Sequence, residues 1–172
     1  MKRIVLIQGS LRKHSRTAVV VREAAAALKK KKVPHAVIDL RDLKLEFCDG
    51  RDLEEYGKDL RAAHAAIAKA DAIIVGMPVY CYSVSGPLKN FFDIVSDAFE
   101  GKPVGILCNS GGIRSSMASS HLMTILAFEC HCSTVQPAVH TWSEDFANGV
   151  LTNDDVRKRL DAMIKALLHA VR

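Results

Sequence analysis

The chain predicts an α/β fold: an open, mostly parallel sheet covered by helices on both faces. Apolar runs of strand length, "RIVLI", "HAVIDL", "DAIIVG", "PVGILC" and "STVQPAV", recur along the 172 residues with stretches of helical length between them. The first four runs are near-continuous in valine, isoleucine and leucine, as in parallel strands buried on both sides. The fifth contains Pro137, which lacks the N–H a central ladder needs, so it reads as an edge strand and the sheet stays open.

Each element follows in order. The opening "MKRIVLIQGSLRKH" starts basic, but only about four strongly apolar residues precede a polar loop, too few for a signal-peptide core, so it reads as strand one. Helix one is expected from Ser15 to Lys31, stopped by Pro34. It closes on four lysines, Lys29 to Lys32, which complement the helix dipole; a nucleic-acid surface would want aromatic residues among them, and none is there. Helix two covers Lys58 to Ala68, with Leu60, Ala63 and Ile67 on one face. Helix three begins after Gly86 with a stripe of Leu88, Phe91, Phe92, Val95 and Phe99, read as core and, as a second use, as a subunit contact. Helix four is expected over Ser116 to Glu129. Helix five spans Asn153 to Val171, capped by Thr152 or Asn153, with Val156, Leu160, Met163, Ile164, Leu167 and Leu168 inward. No repeat or linker divides the chain, so a single domain over residues 1–172 is expected.

Composition narrows the function. Five cysteines, an odd number scattered along the chain, form no disulfide framework and suit a reducing, cytoplasmic setting. No window approaches the roughly 18 apolar residues of a membrane span, so no membrane role is expected. The net charge of +5 favours small anionic ligands.

Two windings suit this element order, and both place ligands beyond the carboxyl ends of the strands where strand order reverses. In the flavodoxin-like order, 2-1-3-4-5, that point lies between strands one and three. Three loops therefore carry the chemistry. After strand one comes "GSLRKHSRT", which is neither a dinucleotide fingerprint nor a Walker loop. It offers the hydroxyls of Ser10, Ser15 and Thr17, the N–H groups opening helix one, and Arg12, whose planar fork suits phosphate oxygens. With no acidic residue and no evident metal ligand, it suits a phosphate monoester bound without metal; the same residues also suit a plainly capped helix. After strand three comes "GMPVYCYSVSGPLKNFFD": Pro78 stiffens the strand exit, Tyr80 and Tyr82 give aromatic surface for a planar ring, or merely cover the sheet end. After strand four comes "CNSGGIRSS", where Ser110, Gly111 and Gly112 let a ligand approach the backbone.

The last segment also spells C-x5-R from Cys108 to Arg114, the pattern of cysteine-dependent phosphatases; against that, Cys108 continues the apolar strand and reads equally as an inert core thiol. "CHC" at Cys130 to Cys132 reads as filler rather than a metal cluster. His14, His64, His121 and His169 lack partner carboxylates at usable spacing, so neither a triad nor any catalytic side chain is assigned. A chain without its own acid–base machinery suits chemistry carried by a bound cofactor.

Taken together, "GSLRKHSRT", "PVYCYSVSGPLKNFFD" and "SGG" resemble, in order, the G-S-x-R-x-x-S loop, the P-x-Y-x-x-S-x-x-G-x-L-K-N-x-x-D signature and the post-strand-four turn of the NADPH-dependent FMN reductase family, which includes quinone, chromate and azo-dye reductases. The resemblance spans about residues 1–115. It implies a flavodoxin-like three-layer sandwich and an FMN-dependent oxidoreductase that moves hydride from NADPH or NADH through FMN to a quinone, azo, metal-oxyanion or free-flavin acceptor. It implies that Ser10, Arg12, Ser15 and Thr17, with the Arg16 backbone, hold the FMN phosphate. Pro78, Val79, Tyr80 and Cys81 then line the ribityl chain and ring, and Ser110, Gly111 and Gly112 meet the ring's other edge. Many relatives carry Glu and Asn where this chain has Val79 and Cys81, which removes two side-chain hydrogen bonds to the flavin. A homodimer or homotetramer is implied, with Phe91, Phe92 and Phe99 near the interface. The one-electron carrier flavodoxin shares the fold, but its surface is acidic and its phosphate loop rich in threonine and glycine, whereas this chain is basic and has Arg12.

Overall fold

The computed structural model describes residues 2–171. In chain order it contains β1 (Ile4–Gln8), α1 (Arg16–Lys30), β2 (His35–Asp39), α2 (Lys58–Ala68), β3 (Ala72–Tyr80), β4 (Ser83–Val84) and α3 (Gly86–Val95). Then follow β5 (Pro103–Asn109), α4 (Ser119–Phe128), β6 (Ser133–Thr134), β7 (Val139–Thr141), β8 (Phe146–Ala147), β9 (Val150–Leu151) and α5 (Asp154–Ala170). Short 3-10 turns cover Leu53–Glu55, Ser96–Phe99, Ile113–Ala118 and Ser143–Asp145.

The central sheet runs β2-β1-β3-β5, with β6 and β7 both parallel to β5 at its far edge. This is the flavodoxin-like order the sequence predicts, and the reversal falls between β1 and β3. Every residue of β1 is buried, because alternate side chains enter two different cores. Val5, Ile7, Ile73, Val75, Val104 and Ile106 face α2, α3 and α4. Ile4, Leu6, Ile74 and Leu107 face α1 and α5. Burial of each such side chain is worth about 1.5–3 kcal/mol, which holds the two helical layers to the sheet.

Four expectations change. "STVQPAV" is not one strand: the chain leaves the ladder between β6 and β7, where the Gln136–Pro137 peptide is cis, and returns to pair Val139 with Leu107. The helix expected from Ser116 opens instead as 3-10 turns over Ile113–Ala118. Phe91, Phe92 and Phe99 are at most 1 % exposed, packed beneath the sheet, so they have no surface left for a subunit contact. The strand that ends at Gly76 in the sequence reading continues to Tyr80, because β4 returns antiparallel and pairs its last two residues. The lysine run behaves as expected: Lys29 and Lys30 occupy the last turn of α1, and Lys31 pairs with Asp161 of α5 at 2.8 Å.

Candidate functional site

The loop after β1 is fixed by a side chain that never reaches solvent. Gln8, 1 % exposed, turns back so that its Oε1 accepts from Ser10 N (2.6 Å) while its Nε2 donates to Ser10 O (2.7 Å) and to Asp39 Oδ1 (2.8 Å). The β1–β2 register makes this reach possible, since Gln8 and Asp39 are direct partners. Asp39 in turn holds Arg41, whose Nη1 donates to Lys13 O at 3.2 Å. Burial raises the Asp39 carboxyl, but the hydrogen bonds from Arg41 and Gln8 outweigh it and leave the group below its ordinary value. Gly9 is obligatory: a Cβ there would lie 2.8 Å from Gly76 O, across the 2.9 Å bond from Gly9 N to that same oxygen. Ser85, buried at the start of α3, donates to Gly9 O at 3.1 Å and ties the third strand's loop to the first.

Ser15 caps α1 by accepting from Ala18 N at 3.2 Å, which leaves the hydroxyl hydrogen free to donate. The capped-helix reading and the anion reading of this loop are therefore compatible. Around the helix start lies a pocket of about 180 Å³ lined by Ser10, Arg12, His14, Ser15, Arg16 and Thr17 from one side and by Val79, Tyr80, Asn109, Ser110 and Gly111 from the other. No carboxylate lines it, and among the described residues neither Arg12 nor Arg16 is in an ion pair. Buried hydroxyls, the unpaired Arg12 guanidinium and the N–H groups at the positive end of a 15-residue helix make a donor set that fits a phosphate dianion.

On the far side of Gly111 a wider, open cavity of about 610 Å³ is lined by Tyr82, Gly111, Gly112, Ile113, Arg114, Ser115, Trp142, Ser143 and Glu144. A Cβ on Gly111 or Gly112 would meet nothing within 4 Å, so bare backbone faces the opening. The turn is held from behind: Ser110 N donates to Thr141 O (2.9 Å), Ser110 Oγ to Gly112 O (2.8 Å) and Ser143 Oγ to Gly111 O (3.0 Å). The opposite lip is the β3–β4 hairpin, whose two turn residues, Cys81 (φ 48°) and Tyr82 (φ 57°), both take left-handed backbone that favours Asn and Gly. That turn leaves Tyr80 and Tyr82 exposed beside the cavity.

Nine of the twelve residues singled out in the sequence thus line one pocket. The other three do not: Pro78 is buried within β3 opposite Asn109, Cys81 sits exposed in the hairpin turn, and Gly112 lines the neighbouring cavity. Sequence reasoning missed Asn109, whose Nδ2 donates to Thr141 Oγ1 at 2.9 Å, and the supporting pair Gln8 and Asp39. It also missed the β8–β9 hairpin, whose Phe146 lies 5.8 Å beneath the Arg16 guanidinium. Its signal was present as Asn148-Gly149, the pair that favours a two-residue hairpin turn.

The rival nucleophile is badly placed. Cys108 is 1 % exposed inside β5, and burial pushes its thiol up to about 12, so it stays protonated at neutral pH. Cys130 and Cys132 are buried, with the Cys132 thiol 3.2 Å from Phe99 O, and no metal-binding cluster exists among the described residues. Two histidines do find carboxylates, both outside the pocket: His64 on α2, contrary to expectation, with its Nε2 2.9 Å from Asp97, and His131, with its Nδ1 2.9 Å from Glu100.

A flavodoxin-like sheet with a cation-lined pocket at its topological reversal has the architecture that places ligands at the carboxyl ends of its strands. The family model for NADPH-dependent FMN reductase matches residues 2–147, and the chain belongs to that family, one of flavin-dependent oxidoreductases that use FMN and a nicotinamide dinucleotide. The chain is 34 % identical over 131 residues to an FMN-dependent NADPH-azoreductase of Staphylococcus aureus, covering 73 % of this chain and 69 % of that one. It is 25 % identical over 159 residues to an NAD(P)H-dependent FAD/FMN reductase of Geobacillus thermodenitrificans, covering 90 % and 86 %. Among solved structures, the apo form of an NADH:FMN oxidoreductase (EMOB) superposes with a TM-score of 0.82 at 24 % identity, over 100 % of this chain and 91 % of that one, which bears out the fold.

Proposed function

We propose that the chain is one domain that holds FMN by its phosphate in the 180 Å³ pocket and reduces a planar, conjugated acceptor, an azo compound or a quinone, in the open cavity beside Gly111. The observation that carries this reading is that the two spaces adjoin: a smaller, polar, cationic pocket and a wider, more open cavity with aromatic walls share Gly111. When bound, FMN supplies the redox centre between the nicotinamide donor and the acceptor. The chain's own residues bind and orient. Arg12 would neutralise the phosphate, and Ser10, Ser15 and Thr17, with the Arg16 backbone N–H, would donate to its oxygens. Val79 and Tyr80 flank the space between the phosphate and the cavity, and Gly111 and Gly112 leave the backbone bare for close approach. Trp142 and Tyr82 offer faces on which a flat acceptor stacks. The protein acts in the cytoplasm as a homodimer or homotetramer, its contact formed by exposed apolar residues such as Met117 and Phe128, not by the buried phenylalanines.

Two measurements test this. Freshly purified protein should be yellow, or become so on FMN addition and gel filtration, and it should oxidise NADPH with a quinone or azo dye and no other protein present. A chain that excludes FMN contradicts the reading, and turnover that requires a separate reductase supports a flavodoxin-type carrier instead. The assembly is checked by light scattering.

A further inference from the structure

The β3–β4 hairpin carries one wall of the open cavity and has little internal support. Its ladder holds only two pairs, Val79 with Val84 and Tyr80 with Ser83. Its turn residues, Cys81 (φ 48°) and Tyr82 (φ 57°), take left-handed backbone, which is costly for any residue with a Cβ and persists only where the surroundings fix it. The base of the hairpin is anchored: Val79 and Val84 pack against the core, and Ser85 donates to Gly9 O. The tip is not, and it is the tip that presents the exposed Tyr82 to the cavity.

A single side chain reaches that tip. His121, exposed in the first turn of α4, places its Nδ1 3.0 Å from Ser83 Oγ. Among the described residues this is the one side-chain hydrogen bond made to residues 80–84. A hydroxyl can donate to the ring nitrogen or accept from it, so the contact suits either imidazole tautomer. The same helix turn braces the opposite wall. Ser119 Oγ donates to Ser116 O at 2.9 Å and Ser120 Oγ to Met117 O at 2.7 Å, which ties α4 to the 3-10 turns that carry Ile113, Arg114 and Ser115 into the cavity. Three consecutive residues thus join the two walls through one helix end. None of the three lines the cavity, so each acts through a neighbour.

We propose that His121 is a positioning residue: its clasp on Ser83 fixes the Tyr82 ring at the cavity wall and so favours acceptors with a flat aromatic face over acceptors without one. This rests on the reading of the cavity as the acceptor site. A ring already held in place gives its stacking energy to the ligand, whereas a loose one must first be ordered. A non-aromatic acceptor gains nothing from the ring and is indifferent to the clasp.

The test is steady-state oxidation of saturating NADPH by the FMN-loaded protein with 1,4-naphthoquinone, which has an aromatic face, and with ferricyanide, an octahedral anion that has none. The variants are His121→Ala, Ser83→Ala, the two combined, and His121→Asn, whose amide can occupy the place of Nδ1. Each alanine variant should raise the KM for naphthoquinone about fivefold, the worth of one exposed hydrogen bond, with its kcat and the reduction of ferricyanide within about twofold of the parent. The combined variant should be no worse than either single one, because both remove the same bond, and His121→Asn should restore most of the parent KM. FMN affinity, read by calorimetry, should stay within about twofold, since neither residue lines the phosphate pocket. An unchanged naphthoquinone KM in both alanine variants, additive losses in the combined one, or an equal loss with ferricyanide overturns the clasp. The cavity is checked separately through Trp142, the one tryptophan of the chain, which lines it. Naphthoquinone should quench its emission in the FMN-loaded parent, after correction for absorption. Turnover of naphthoquinone with no such quenching means that the cavity is not the acceptor site, and both conclusions fall.

Discussion

The two lips of this site are built in opposite ways. The β1–α1 loop is tied down by polar side chains, the buried Gln8 and Ser85 and the more exposed Asp39–Arg41 pair, and its pocket is small and cationic. The β3–β4 hairpin and the turns from Gly111 to Ser115 instead present exposed Tyr82 and Ile113 around a cavity more than three times larger. Preorganised donors suit a ligand that stays, because their ordering entropy is spent in folding. An open rim of aromatic and aliphatic side chains suits molecules that come and go and differ in shape. On the proposed function, the difference makes retention of FMN and choice of acceptor separable in this chain.

The strongest way to break that contrast is to unfasten the rigid lip. Gln8→Leu leaves the buried Ser10 N and Ser10 O without their Gln8 partners and should cost about 2–3 kcal/mol of stability, read from urea denaturation, with weaker FMN binding beside it. Arg12→Ala removes an unpaired guanidinium from the pocket and should weaken FMN by about 1.5–3 kcal/mol in calorimetry while leaving stability nearly unchanged. On the open lip, Trp142→Ala should raise the KM of an aromatic acceptor by an amount equivalent to about 1 kcal/mol, with FMN affinity preserved. If FMN binding falls in parallel with acceptor binding, the lips are not separable. The strained hairpin offers a smaller effect of opposite sign: Cys81→Asn with Tyr82→Gly should stabilise the fold by about 0.5–1 kcal/mol in thermal unfolding, because those residues accept the observed backbone.

Acid should reach the open lip first. His140 Nε2 lies 3.0 Å from Ser119 Oγ, which itself donates to Ser116 O, so the imidazole braces the 3-10 turns that carry Ile113 and Arg114. Burial, and then the charge of Arg159, hold His140 below its ordinary 6.5. The unfolded chain therefore binds a proton where the folded chain does not, so this contribution is complete above pH 6.5 and declines as the pH falls below it. The urea midpoint should drop between pH 7.5 and 5.5, and His140→Gln should flatten that slope. Asp39, held below 3.8, adds its own loss only in stronger acid.

Much of this was legible in the chain before any coordinates. Valine- and isoleucine-rich runs identify strands buried on both faces, and the serines and Arg12 after strand one identify the anion loop, because both depend on residues close in sequence. What was hidden depends on register. Gln8 looks like an ordinary polar strand end until β1 and β2 pair and bring Asp39 alongside it. The same blindness applies to Asn109, whose partner Thr141 arrives from β7, and to the break at Pro137, where the chain leaves the ladder and rejoins it. The phenylalanine stripe could not be divided between core and surface until the layers closed over it. Asn148-Gly149, by contrast, was readable and was passed over because strands of two residues leave no periodicity.

On the proposed function, the cradle at the head of α1 recognises a flavin through its phosphate. Parallel calorimetric titrations of the flavin-free parent with FMN and with riboflavin test it most directly. FMN should bind about a hundredfold more tightly than riboflavin, the worth of two charge-assisted contacts, and Arg12→Ala should remove at least a tenfold share of that margin. Equal affinity for the two flavins in the parent would contradict it.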